Sequence, residues 1–187
     1  MQSSFDAQAT SASPATRRRA LAALLVTATA SRLIPHAPNF TAVPAVALMA
    51  GLLFGRTWLA FAVPLLAMVL SDLALGMAVY GMRAFQWLLP VYACIAATVW
   101  LGMSTSRAPR SVVFGAVSAT AMFFFVTNLF VWLGSSFYPA TAAGLLACYA
   151  AALPFAANML LSTLAFSLAL LATWHVVERR FLRVVPS

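Results

Sequence analysis

The chain has 187 residues, 64% of them hydrophobic and only 7% charged, and its net charge of +8 comes from eleven arginines against three acids. So few charges cannot clothe that much apolar surface in water, which excludes a soluble globular domain and makes lipid the solvent. The apolar stretches are continuous rather than alternating at period two, which excludes a transmembrane barrel and leaves a single all-α integral membrane bundle. Nucleic acid is not an expected partner, because the arginines sit in short segments between apolar runs, where they anchor and orient helices in the bilayer.

Residues 1–19 are expected to form a disordered cytoplasmic tail, small and polar up to Thr16 and then basic at Arg17, Arg18 and Arg19. The apolar run that follows continues from Ala20 to Ile34 without a clean cleavage site, so it predicts a retained first helix rather than a signal peptide. Breakers and charges then divide residues 20–187, read as one domain, into helix 1 over 20–35, helix 2 over 41–54, helix 3 over 57–77, helix 4 over 86–103 and helix 5 over 111–133. From Thr141 to Val177 the chain is apolar for longer than one perpendicular span, and Pro154 interrupts it. A proline removes a backbone donor and clashes one turn back, which predicts a break near Leu153. The products are a short helix over 141–152, too brief to span, and helix 6 over 156–178. Ala143, Ala147 and Ala151 recur at four-residue spacing and predict a smooth stripe on that short helix, suited to resting against other helices.

Six transmembrane helices with both termini in the cytoplasm place nine arginines inside and two, Arg32 and Arg83, outside. A seventh span would move the carboxyl-terminal arginines out and worsen that partition to six against five. With this topology in a plasma or inner membrane, the remaining polar residues gather in the outer half. His36, Asn39 and Phe40 follow helix 1, and Asp72 sits near the outer end of helix 3. Tyr80, Arg83 and Trp87 belong to the next connection, Asn128 and Trp132 to the end of helix 5, Tyr138 to the following loop, and Asn158 to the start of helix 6. Polar groups at membrane depth cost free energy unless paired, so their convergence predicts a water-accessible, outward-facing substrate cavity. Each also has a packing role available. Asp72 can pair with Arg32 or Arg83, His36 can cap helix 2, the aromatic residues can form an interfacial belt, and the asparagines can bond across helices.

Enzymatic constellations are poor: Ser71-Asp72 is no triad, His36 and His175 share no metal-ligand spacing, and no phosphate-binding glycine loop occurs. No resident cofactor is expected. Cys94 and Cys148 are too far apart for a zinc or redox motif.

The segments RLIPHAPNFTAVPAVAL, WLAFAVPLLAMVLSDLALG and VTNLFVWL…YPATAAGLLACYAAALPFAANML resemble a family of small bacterial membrane proteins, domain of unknown function 6580, regarded as transport proteins. The resemblance covers about residues 32–165. That family is similar in turn to the substrate-binding S-components of energy-coupling-factor transporters, which implies a six-helix bundle and a vitamin or metal site at the outer face, with the short helix 141–152 as part of its lid. It also implies a partner, an energising module. Helix 1 has no Ala-x-x-x-Ala pair of the kind S-components use to dock there, which leaves solitary action open. Cys94, in the outer half of helix 4, resembles the cobalt-ligating cysteine of solitary vitamin B12 transporters of the BtuM type. That likeness implies cobalamin as the first substrate, with Cys94 and, in reserve, His36 as axial metal ligands. Two other expectations stand beside uptake. One is a membrane-embedded enzyme using Cys94 or Cys148, with Arg32 and Arg83 favouring the thiolate; the other is a non-catalytic assembly subunit whose polar residues pair among themselves.

Overall fold

The computed structural model describes residues 14–76, 88–134 and 136–179. Within them the chain is helical, with no strand, and its six helices are α1 (Pro14–Leu33), α2 (Val43–Phe54), α3 (Trp58–Leu75), α4 (Leu88–Met103), α5 (Pro109–Gly134) and α6 (Ala142–Val177). Three of them, α3, α5 and α6, are long and apolar enough to cross a membrane; α2 and α4 are shorter apolar helices.

The centre of the bundle is α2. Eleven of its twelve residues are buried, and it packs against each of the other five helices. Twelve residues rise only about 18 Å, well short of a hydrocarbon core of about 30 Å, but a helix sheathed by others need not reach either membrane surface. Pro44 sits in its first turn, where a missing N–H costs nothing, and Gly55 ends it with φ +58° and ψ −142°, a backbone conformation for which glycine is suited. Leu48, Met49, Val43 and Val46 fill the space between α2 and its neighbours. The approach of α4 is closest at Gly51 and Gly102, where a side chain on either would run into the backbone of the other helix.

The amino-terminal boundary differs from the sequence expectation. Helix α1 starts at Pro14, so Arg17, Arg18 and Arg19 lie on its first turns rather than in a tail; residues 1–13 are outside the described residues. Proline at the first helical position is preorganised for the helix, and alanine and arginine propagate it.

The expected break near Leu153 does not occur. Residues 142–177 form one helix of 36 residues, with Pro154 inside it, so there is no separate short lid helix. Thr141 caps it, its hydroxyl accepting from the Gly144 N–H at 3.1 Å. Alanine- and leucine-rich flanks favour the helix on both sides of the proline, and Pro154 itself is exposed. At about 54 Å, α6 is much longer than a bilayer core. The alanine stripe is also displaced by one residue. Ala143, Ala147 and Ala151 are exposed, while Gly144, Cys148 and Ala152 form the buried edge. That edge faces α5: the Tyr149 hydroxyl donates to the Phe125 carbonyl at 2.8 Å, and the Cys148 thiol points to the Asn128 carbonyl at 3.5 Å.

Candidate functional site

Helices α1 and α3 finish, and α4 begins, at the same end of the bundle, and three side chains close on one another there. Arg32 lies one residue before the end of α1 and Asp72 in the last turn of α3, with Arg32 Nη2 2.5 Å from Asp72 Oδ1. Tyr92, in the second turn of α4, donates its hydroxyl to Asp72 Oδ2 at 2.8 Å. The other guanidinium nitrogen of Arg32, Nη1, donates to Ser71 Oγ at 2.8 Å and lies 3.0 Å from the Met68 sulfur. Ser71 is fully buried, and its hydroxyl donates to the Ala67 carbonyl at 2.7 Å.

The Arg32 and Asp72 side chains are 18% and 10% exposed, so both charges are largely out of solvent and depend on each other. Arginine suits this position because its planar fork can serve the carboxylate and the Ser71 hydroxyl at once. Beside the pair, between α3 and α4, is a cleft of about 480 Å³ lined by Val69, Asp72, Leu73, Leu88, Leu89 and Tyr92. Its walls are apolar and its polar atoms belong to Asp72 and Tyr92.

The other expected site residues fall into two further groups. His36 is exposed, with Nδ1 2.8 Å from the Ala37 carbonyl; Asn39 is exposed at φ +62°. Phe40 packs edge-on against Phe166 of α6 with ring centroids 6.3 Å apart, and Asn158 Nδ2 donates to the Pro38 carbonyl at 3.1 Å. The connection between α1 and α2 is thereby strapped to α6. At the α5–α6 turn, Trp132 Nε1 donates to the Pro139 carbonyl at 3.0 Å, Tyr138 is half-buried, and Asn128 Nδ2 bonds the Phe124 carbonyl of its own helix at 2.8 Å. Among the described residues, no side-chain hydrogen bond links these three groups. Tyr80, Arg83 and Trp87 lie outside the described residues.

Cys94 is 3% exposed, on the face of α4 that also carries the buried Thr98, and it is not a lining residue of the cleft. Among the described residues no three His, Cys, Asp or Glu side chains come together to hold a metal ion. The two site residues that the sequence reading did not select are Arg32, named there as a pairing partner for Asp72 and as a cation favouring a thiolate, and Tyr92. The available signal for Tyr92 was a hydroxyl within the first turns of an otherwise apolar helix that starts at the Asp72 end.

At the opposite end a second ion pair joins Arg107, in the α4–α5 connection, to Glu178, just after α6. Trp174 Nε1 donates to the same carboxylate oxygen at 2.7 Å, and the guanidinium lies over the Trp174 ring at 5.9 Å.

Long apolar helices around a buried helix, with two ion pairs, Arg32–Asp72 and Arg107–Glu178, among the described residues, define an α-helical protein of membrane-like composition. Comparison with known proteins gives its family. The chain belongs to the family of unknown function DUF6580, which matches residues 13–185. No curated protein and no solved structure matches it.

Proposed function

We propose that this protein is a multi-pass protein of the bacterial inner membrane, with both termini in the cytoplasm, that binds a vitamin or related micronutrient at its outer end for uptake. The observation that carries the reading is the Arg32–Asp72–Tyr92 cluster opening on the α3–α4 cleft. A charged pair at the end of an apolar bundle beside an apolar hollow has the composition of a small-molecule site. The arginine partition supports the orientation, since nine arginines fall on the side assigned to the cytoplasm. The cleft volume of about 480 Å³ suits a ligand smaller than a corrinoid. Cobalamin is therefore supported by Cys94 and the S-component likeness rather than by this cleft.

Mass analysis of protein purified from cells fed candidate vitamins tests the reading, with a bound micronutrient in stoichiometric amount as the expected result. Cyanocobalamin is tested directly by its visible spectrum, which shifts on binding if Cys94 reaches the cobalt and stays unshifted in Cys94→Ala. No bound micronutrient under any feeding condition rejects uptake. The assembly-subunit reading then takes its place, favoured by the fact that Asp72, Asn128, Trp132 and Asn158 all have partners within the chain.

A further inference from the structure

The α3–α4 cleft differs from a pocket entered from water in one respect: its walls belong to the outer surface of the bundle. Val69, Leu73 and Leu89 are 40%, 47% and 78% exposed, and in a bilayer such surface faces acyl chains. The polar floor lies close to the helix ends, Asp72 three residues before the end of α3 and Tyr92 four after the start of α4. In a bilayer spanned by α3, a polar floor near that end of the helix would lie toward the depth at which headgroup meets hydrocarbon. The hollow is therefore open sideways to the membrane at the level where the polar head of an amphipathic molecule resides.

The floor also has a definite hydrogen-bonding character. A carboxylate offers about four acceptor positions. Asp72 uses one oxygen for Arg32 and the other for Tyr92, which leaves acceptor capacity on both. The Tyr92 hydroxyl donates to Asp72, so its own lone pairs are turned to other donors. The guanidinium is spent on Asp72, Ser71 and Met68 and is not part of the cleft lining. What the cleft presents to a guest is thus acceptors in an apolar hollow, and the guest that satisfies them carries a donor.

We propose that the α3–α4 cleft admits, laterally from the bilayer, an amphipathic ligand whose head is a hydrogen-bond donor, an amine or a hydroxyl, held by Asp72 and Tyr92 while its apolar body lies along Val69, Leu73 and Leu89. This rests on the cleft being the binding site of the uptake reading, and it assigns that site a ligand class and a route of entry. Acids and esters, which bring acceptors to acceptors, are excluded by the same floor.

The test uses the full chain in phosphatidylcholine vesicles and three diazirine-bearing probes with the same chain: hexadecylamine, hexadecanol and methyl palmitate. The amine and alcohol are expected to label Leu73 and Leu89 saturably. Methyl palmitate should need about tenfold more for the same labelling, the factor expected for one hydrogen bond to a charged acceptor. Leu73→Trp fills the hollow without touching the ion pair and should abolish the saturable labelling at an unchanged unfolding temperature. Asp72→Asn should erase the preference among the three heads. Equal, non-saturable labelling by all three probes means bulk lipid only and overturns the proposal. A micronutrient that co-purifies and binds equally well to Leu73→Trp keeps the uptake reading and rejects this one; saturable labelling with no micronutrient bound does the reverse.

Discussion

Gly51 of α2 and Gly102 of α4 meet at a contact where neither position has room for a side chain: a Cβ on Gly51 would lie 2.0 Å from the Val99 carbonyl oxygen, and one on Gly102 2.1 Å from that of Leu48. Both obstacles are backbone, so no rotamer change relieves them and the helices must part. Gly51→Ala and Gly102→Ala should each destabilise the bundle by about 1–3 kcal/mol or more, read as a lower unfolding temperature in detergent. The double variant should cost less than the sum, because the first substitution has already separated the helices.

Arg32 and Asp72 should behave as a buried pair. Arg32→Ala leaves the carboxylate with Tyr92 alone and is expected to cost about 3–5 kcal/mol, whereas replacing both partners by apolar residues, as in Arg32→Met with Asp72→Leu, should recover most of that. Thermal unfolding of the two single variants and the double one measures it. A double variant as unstable as either single would show that the pair does more than neutralise itself.

Pro154 interrupts no element, so its removal should not impair the fold. Pro154→Ala restores a backbone donor within α6 and should leave stability unchanged or raise it by up to about 3 kcal/mol. A loss of stability or of ligand binding would show that the proline bends α6 in a way the protein requires.

The Arg107–Glu178–Trp174 cluster should hold the end of α6 to the α4–α5 connection. Its charged side chains are 30% and 26% exposed, so screening discounts the pair, and Glu178→Ala is expected to cost only about 1–2 kcal/mol, mostly through the Trp174 hydrogen bond. Faster amide hydrogen exchange confined to the last turns of α6 would be the signature. Protection lost throughout the bundle would contradict a local role.

The all-helical character and the ends of most helices were legible because charges, prolines and glycines punctuate apolar runs. Pro154 misled for a physical reason: a proline's cost is local, and whether it breaks a helix depends on what the flanking alanines and leucines gain by continuing. The same misplaced break hid the one-residue displacement of the α6 edge, since Ala143, Ala147 and Ala151 are as small as the Gly144, Cys148 and Ala152 that pack. At the site, the sequence left Asp72 with two candidate partners, and the structure pairs it with Arg32. Convergence of polar residues on one end could be read from topology, but three separate groups could not, because hydrogen bonds such as Asn158 to the Pro38 carbonyl depend on how the α1–α2 connection lies against α6. Tyr92 escaped because an isolated tyrosine in an apolar helix looks like an interfacial residue until Asp72 is placed beside it.

The enclosure of α2 also bears on how the protein is made. A helix too short to reach across the hydrocarbon, with its faces claimed by other helices, has no stable resting state alone in a bilayer. As the chain emerges from the ribosome, α2 has to be sheltered by α1 and then α3, and its Gly51 face stays uncovered until α4 is synthesised and docks. The first three helices thus form an intermediate with an open seam, which a chain truncated before Gly102 leaves uncovered. Substitutions along Val43–Phe54 should therefore lower the amount of protein that reaches the membrane before they alter anything the finished protein does.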